Sequence, residues 1–128
     1  MREIKFRGKR ADEKWVFGSY VLAPSGNVSI FDNRSAFNWV DLETVGQFTG
    51  LKDVADKEIY EGDIVRVYYN GYEETSIHEV RYMIDESYPA FDLVPIISFA
   101  DSNSLQYAFT IYTIEVIGNI HDQKEETK

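Results

Sequence analysis

The stretch from Thr49 to Val67 constrains this chain more than any other, because it holds two glycine-centred turns and the start of a strand. Gly50 lies where a residue free to take a positive φ is favoured. Gly62 predicts a second tight turn, and Asp63 has a side chain that can accept hydrogen bonds from nearby backbone N–H groups. Glu61 completes this turn. We therefore predict that Gly50, Glu61, Gly62 and Asp63 form a structural motif.

Alternation of apolar and polar residues predicts that most of the chain is β-structure. After Asp63, Val65 and Val67 alternate with polar positions and so share one face of a strand. Other strands are predicted at 3–10, 14–22, 28–31, 37–40, 90–94, 107–112 and 113–120. Pro95 lacks a backbone donor, so the strand before it should end, bulge or lie at a sheet edge. No segment predicts a helix longer than about two turns.

Asn70-Gly71 is the strongest hairpin signal in the chain and predicts a two-residue type I′ turn. Such a turn would pair Tyr69 with Tyr72 and Val65 with Ser76. Near the end of the chain, Gly118 predicts either a bend in the last strand or the close approach of another backbone.

Five segments together resemble the YopX-like family of small phage and prophage proteins. They are M-R-E-I-K-F-R (1–7), V-D-L-E-T-V-G-Q-F-T-G (40–50), T-G-L-K-D (49–53), K-E-I-Y-E-G-D-I-V (57–65) and E-V-I-G-N-I (115–120). One departure concerns the first turn, where Val54-Ala55-Asp56 stands in place of the Asn-Gly type of turn usual in the family. The departure affects the expected local geometry of that turn.

The resemblance implies a mainly-β fold with little helix, containing a small antiparallel SH3-like barrel with the N-terminal strands packed beside it. We predict one domain over residues 1–120, with N-terminal strands at 1–48, the barrel region at 49–120 and a flexible tail at 121–128. The resemblance offers no established activity and no catalytic residues to carry over. It implies an accessory protein of a phage or prophage.

Composition excludes several classes of protein. The chain has 128 residues, no Cys and 15% aromatic residues, which argues against disorder, disulfides and thiolate chemistry. No apolar run approaches the roughly 20 residues needed to span a bilayer, and no signal sequence is recognisable at the N-terminus. We therefore expect a cytoplasmic protein with no cofactor and no membrane partner.

The net charge of −9 is unevenly distributed along the chain. Residues 1–14 carry a net charge of +3, so the remainder carries −12. An acidic body repels a phosphate backbone, which makes nucleic acid an unlikely partner. The exception is the first strand, where Lys5, Arg7 and Lys9 fall on one face, opposite Ile4 and Phe6. This basic face is a candidate contact with nucleic acid, with an acidic partner or with acidic groups of the protein itself.

Catalytic signatures are missing from the sequence. No phosphate-binding loop, nucleophile elbow or zinc-binding helix motif is present, and His78 and His121 are the only histidines. Glu61 and Asp63 are the best candidates for acid–base chemistry because they flank Gly62. A turn-stabilising role explains the same positions, so we expect no catalytic, cofactor-binding or metal-binding residue.

The function that follows is protein–protein contact by a non-enzymatic module, with self-association as one form of it. Aromatic side chains exceed what a small barrel needs to bury, and Tyr68, Tyr69 and Tyr72 at the predicted hairpin tip are the best candidates for exposed ones. Lys5, Arg7 and Lys9 are the second candidate surface. Two alternatives remain: a nucleic-acid-associated SH3-like module, and an enzyme that uses Glu61 and Asp63.

Overall fold

Antiparallel strands dominate the structure, a computed structural model that describes residues 4–32, 36–84, 89–95 and 104–122. The chain divides into two units, Met1–Gly50 and Leu51–Lys128. The division follows Gly50, close to the predicted boundary between residues 48 and 49. The mainly-β class with little helix is confirmed. The SH3-like barrel and the single domain over 1–120 stay predictions.

Four strands form the first unit: β1 (Phe6–Lys9), β2 (Trp15–Leu22), β3 (Val28–Phe31) and β4 (Phe37–Lys52). Each strand pairs antiparallel with the next, and β1 also pairs with β4, so the pairing closes into a ring. Because β4 is long, it pairs with β3 over its first residues and with β1 further along, and it continues to Lys52 in the second unit.

Two glycines let the strands of the first unit come close together. A Cβ on Gly18 would lie 2.0 Å from the carbonyl oxygen of Phe31, so only glycine fits where β2 meets β3. A Cβ on Gly8 would lie 2.9 Å from the Val40 side chain. Val28 and Ile30 of β3 are fully buried beside these contacts.

The predicted faces of β1 are wrong. Ile4 is 72% exposed and Arg7 is only 8% exposed, the reverse of the expected half-buried strand. The physical reason is that the cationic side chains lie over aromatic rings, which cover their alkyl stems. Alternation along four residues shows that a strand has two faces, but it does not show which one is covered.

The second unit contains β5 (Glu58–Tyr60), β6 (Asp63–Tyr68), β7 (Thr75–Ile84), β8 (Pro89–Val94), α1 (Leu105–Ile111) and β9 (Thr113–Asn119). β5 lies next to the end of β4, and the other strands form a sheet in the order β8-β7-β6-β9. Val65 and Val67 are fully buried on one face of β6, as predicted, and pack in a core with Val80 and Leu93. β8 ends at Val94, before Pro95, which is one of the predicted outcomes.

The hairpin between β6 and β7 forms with a different register. The structure pairs Val65 with His78 and Val67 with Ser76, two residues away from the predicted pairing. The reason is the turn: Gly71 has a φ of +82°, and Asn70 is not among the described residues with positive φ. A type I′ turn needs both, so a longer loop joins the strands. A shift of two residues preserves the faces, which is why Val80 is still buried.

The predicted strand at 107–112 is wrong, because the structure has the helix α1 there. Ser104 caps the helix, since its Oγ accepts a hydrogen bond from Tyr107 N at 3.1 Å. Leu105 and Ala108, three residues apart, are buried against the core. The aromatic and β-branched residues of 107–112 favour a strand locally, and burial of this short apolar stripe overrides them. Most of the predicted tail lies outside the described residues.

We predict that Gly18→Ala lowers the free energy of unfolding by more than about 3 kcal/mol, because its Cβ collides with backbone. Gly26→Ala is the matched control, since Gly26 has a φ of +93° but nothing within 4 Å of an added Cβ. This control should cost about 1–2 kcal/mol. Urea unfolding of both variants measures the difference, and equal losses would contradict the close backbone contact.

Candidate functional site

Asp53 is the centre of the turn between β4 and β5, the first of the two turns in the stretch from Thr49 to Val67. One carboxylate oxygen, Oδ1, accepts hydrogen bonds from the backbone N–H groups of Ala55 and Lys57, both at 2.9 Å. The other, Oδ2, accepts one from Val116 N in β9 at 2.8 Å. Asp53 is buried, and the turn also joins β9 through Val54 N, which donates to Ile114 O. The carboxylate thus ties the β4–β5 turn to a strand 63 residues away in sequence.

The electrostatics of Asp53 fit this structural role. Burial raises the pKa of Asp53, whereas the three backbone hydrogen bonds and the charge of Lys57 lower it. The lowering prevails, so the pKa of Asp53 lies below its ordinary value of 3.8. The carboxylate is therefore ionised at neutral pH and is held by donors that prefer the charged form.

The second motif, Glu61-Gly62-Asp63, is built in the same way. Asp63 is fully buried, and its Oδ2 accepts a hydrogen bond from Tyr60 N at 2.7 Å, as the sequence predicts. Gly62 has a φ of +95°. Its N–H donates to Val80 O at 2.8 Å, and its carbonyl accepts from Ile120 N at 2.9 Å. The turn thus joins β7 and the end of β9.

The remaining motif glycines have distinct roles. Gly50 has the predicted positive φ, at +90°, but it lies inside β4 rather than at a reversal of the chain. Gly118 lies at an irregularity of β9: Ile64 pairs with Gly118 and Val65 with Val116, which leaves Ile117 as an extra residue. Nothing lies within 4 Å of an added Cβ at Gly118, so it marks a bulge rather than a close approach.

The geometry of the second motif provides no acid–base pair. Asp63 is buried on the backbone of its own turn, whereas Glu61 is half-buried. Among the residues that the structure describes, no group of three or more His, Asp or Glu side chains is placed to hold a metal ion. The described part of the chain also contains no helix long and apolar enough to cross a membrane.

The three hairpin tyrosines do not form one exposed cluster. The Tyr68 hydroxyl donates to Glu115 Oε1 at 2.6 Å. Tyr69 is half-buried and makes an edge contact with Tyr112, at 4.8 Å between ring centroids. Of the three, only Tyr72 is largely exposed, at 76%. The predicted cluster is therefore wrong for Tyr69, because the longer loop folds it back onto the core.

A chain of partly buried hydrogen bonds begins at Tyr69. Its hydroxyl bonds to Ser76 Oγ, Ser76 Oγ lies 2.6 Å from His78 Nε2, and His78 Nδ1 lies 2.6 Å from Pro95 O. A carbonyl only accepts, so Nδ1 carries the proton and neutral His78 accepts from Ser76 at Nε2. Burial lowers the pKa of His78, although the bond to Pro95 O opposes this. This serine–histidine pair points with Val80 to the core side of β7 and is structural.

The basic residues of β1 are packed against rings rather than arrayed in solvent. The Lys5 Nζ lies 5.3 Å from the centroid of the Phe48 ring. The Arg7 guanidinium and the Lys9 Nζ both lie over Trp15, at 4.7 and 5.7 Å. Such contacts are typical of cation–π interactions. Arg7 is buried and Lys5 and Lys9 are half-buried, so their charges are only partly available to a partner.

Among the residues that the structure describes, a further group of exposed aromatic side chains lies on one side of β2, β3 and β4 in the first unit. The cross-strand rows Ser19–Phe31–Phe37 and Val21–Ser29–Trp39 place its members on one face. We call this surface the aromatic face; it consists of Phe17, Val21, Phe31, Phe37 and Trp39. Phe37 is 64% exposed, Trp39 60% and Phe17 46%, and the rings of Phe31 and Phe37 lie 4.7 Å apart.

Sequence reasoning missed the aromatic face although a signal was present. Phe17 and Val21 alternate along β2 with Val16 and Tyr20, so both faces of this strand carry apolar residues. Such a pattern predicts a central, doubly covered strand. In the structure both sides of β2 carry exposed apolar residues: Phe17 and Val21 on the aromatic face are 46% and 36% exposed, and Tyr20 and Leu22 on the other side are 39% and 60% exposed.

These features define a class: a mainly-β protein whose most distinctive motif residues stabilise turns. The sequence model of the YopX protein family matches residues 3–126, and the chain belongs to that family. A solved structure, the crystal structure of protein EF1440 from Enterococcus faecalis, is similar at 24% identity over all of both chains, with a TM-score of 0.49. A comparison of this sequence with curated proteins found no match.

We predict that Asp53→Asn lowers the free energy of unfolding by about 2–4 kcal/mol, because an amide removes the charge and turns a donor toward one backbone N–H. Asp56→Asn is the matched control: Asp56 is exposed, has a φ of +68° that asparagine tolerates, and should change stability by less than about 0.5 kcal/mol. Chemical denaturation measures both. Equal effects would show that the buried carboxylate has no special role.

We also predict a loss of stability in mild acid that depends on His78. The folded state binds a proton at lower pH than the unfolded state, whose pKa is near 6.5. The stability contribution is therefore complete above about pH 6.5 and falls below it, by at most about 1.4 kcal/mol per pH unit. Unfolding at several pH values measures this slope. His78→Gln should flatten it, and a slope that this substitution leaves unchanged would contradict the prediction.

Proposed function

We propose that this protein is a non-enzymatic protein-interaction module that associates with a second copy of itself through the aromatic face. The observation that carries this proposal is the exposure of Phe37, Trp39 and Phe17 on one side of one sheet. Contiguous exposed apolar surface of this kind marks interaction sites on proteins. The phage or prophage setting implied by the family resemblance is part of the same proposal.

The outer face of the sheet in the second unit shows what a solvated sheet face looks like in this protein. Its charged side chains find partners within the face. Arg81 pairs with Glu79 at 3.2 Å, Arg66 donates to Thr75 at 3.3 Å, and Tyr68 donates to Glu115. The members of the aromatic face are all apolar, and Phe17, Phe37 and Trp39 are 46%, 64% and 60% exposed. Exposed apolar area of this size supports contact with a partner there rather than with water.

The exposed area suits a protein–protein interface. Aromatic side chains bury roughly 150–250 Å² each, so the exposed fractions of Phe17, Phe37 and Trp39 leave about 300–400 Å² per copy. Two copies would bury about twice this area between them. That is a large share of the apolar part of an interface of roughly 1,600 Å².

Charge also favours contact through the first unit. Residues 1–50 carry seven Lys or Arg and six Asp or Glu, a net charge of +1, whereas residues 51–128 carry six and sixteen, a net charge of −10. Two copies that meet through the first unit therefore bring together nearly neutral surfaces. Contact between the two acidic units would be opposed by repulsion.

The closed pairing of β1 to β4 determines how a partner can bind. A strand with both neighbours present offers few free backbone groups, so addition of a partner strand is disfavoured. Side-chain packing against the face remains. In such packing the large aromatic residues supply most of the binding free energy.

A nucleic-acid-associated module is the second candidate, and one observation favours it. The net negative charge of the chain lies in residues 51–128, whereas residues 1–50 carry a net charge of +1 and do not oppose a phosphate backbone. Lys9 and Arg7 pair across strands with Trp15 and Phe17, which places cations beside aromatic rings on one face. Single-stranded nucleic acids bind to such combinations. The partial burial of these cations makes this the weaker proposal.

We predict that the protein elutes as an oligomer in size-exclusion chromatography with light scattering, at low and at high salt. Apolar contact resists salt, whereas contact between charges weakens with it. The variant Trp39→Lys should elute as a monomer at the same concentration. Tyr72→Lys is the matched control, because Tyr72 is an exposed aromatic outside the aromatic face and its variant should remain oligomeric.

A monomeric wild-type protein, or an oligomer that Trp39→Lys leaves intact, would refute self-association through this face. Circular dichroism and thermal unfolding establish that the variants are folded. Titration with a fluorescent single-stranded oligonucleotide tests the second candidate. Binding whose log affinity falls linearly with log salt, and which Trp39→Lys abolishes, would replace protein contact with nucleic-acid contact as the function of the face.

A further inference from the structure

The sequence motif Asn70-Gly71 lies outside both the hydrophobic core and the aromatic face. It is the only asparagine in the chain followed by glycine, and both residues are exposed in the loop between β6 and β7. Gly71 has a φ of +82° and nothing within 4 Å of where its Cβ would be. The bond from Tyr72 N to Tyr69 O, at 3.1 Å, closes the turn around them.

We propose that Asn70-Gly71 is a site of spontaneous covalent self-modification by deamidation. The backbone nitrogen of Gly71 attacks the side-chain carbonyl carbon of Asn70, and a new C–N bond forms. The bond to the side-chain nitrogen breaks, and that nitrogen leaves as ammonia with the proton from the Gly71 amide. Water then opens the cyclic imide at either carbonyl and gives aspartate or isoaspartate. Asparagine is a thermolabile residue, and glycine presents no side chain to hinder the attack.

Modification of Asn70 would affect the fold because the Asn70 side chain forms a hydrogen bond with the C-terminal end of α1. Its Nδ2 donates to the carbonyl of Ile111, the last residue of the helix, at 3.2 Å. The neighbouring Tyr69 contacts Tyr112, whose backbone N–H caps the helix by donating to Ala108 O. Two successive side chains of the loop thus hold one helix end.

Deamidation would release that end. The product carries a carboxylate where the amide donor was, so an acceptor faces the Ile111 carbonyl and the hydrogen bond is lost. The new negative charge adds to a unit that already has a net charge of −10. Isoaspartate also inserts a methylene into the backbone of the turn. The modification is therefore a one-way change that loosens the helix end and exposes its apolar residues Phe109 and Ile111 further.

The first experiment incubates the purified full-length protein at mildly alkaline pH and follows it by peptide mass mapping, with enzymatic methyl labelling of isoaspartate. We expect the peptide that contains Asn70 to gain the mass of an amide-to-acid exchange. Asn27, Asn38 and Asn119 are internal references, because Val, Trp and Ile follow them. Conversion at Asn70 should exceed theirs by more than an order of magnitude. Equal rates at all four positions would overturn the proposal.

The second experiment tests the structural consequence without waiting for the reaction. Asn70→Asp mimics the aspartate product, and Asn70→Ser is the control that removes the amide without adding charge. Hydrogen exchange at the Tyr112 amide should be several-fold faster in Asn70→Asp than in the wild type, with Asn70→Ser intermediate. Exchange that is unchanged in Asn70→Asp would show that the loop does not hold the helix and would overturn the proposed release.

Discussion

The buried carboxylate of Asp53 is the interaction on which the second unit depends. A carboxylate removed from water is costly unless donors replace the lost hydration. Here three backbone N–H groups do so, two from the adjacent turn and one from Val116 in β9. One side chain therefore fixes the turn between β4 and β5 and positions it against the last strand. Without it, two backbone segments distant in sequence lose their shared acceptor.

Asp63 repeats this arrangement at the next turn, where its carboxylate also accepts a hydrogen bond from a backbone N–H group. Both aspartates are buried, and both accept hydrogen bonds from backbone N–H groups rather than facing a cleft. Their carboxylates are thus occupied in maintaining the fold. The surfaces available for contact lie elsewhere, and in the first unit the aromatic face is one of them. Asp53 and Asp63 therefore stabilise the fold, whereas the proposed contact with a partner involves other residues, those of the aromatic face.

Local physics explains which parts of the structure could be predicted. Strand alternation at Val65 and Val67, and the Asp63 hydrogen bond, follow from periods and side-chain chemistry within a few residues. The hairpin register required the φ of Asn70, which local sequence does not fix. The helix α1 depends on burial of its apolar stripe against the core. The aromatic face was not predicted, because apolar residues on both sides of β2 indicate a strand that is covered on both faces.

Titration of Asp53 shows whether backbone hydrogen bonds hold this buried carboxylate in its charged form. Carbon-13 NMR of the side-chain carboxyl, followed from neutral to acidic pH, reports the pKa of this one group in the folded protein. We expect the pKa of Asp53 to lie below the ordinary value of 3.8, because the backbone donors and Lys57 favour the charged form. A midpoint at or above that value would mean that burial outweighs the hydrogen bonds. Asp53 would then not be the stabilising centre described above.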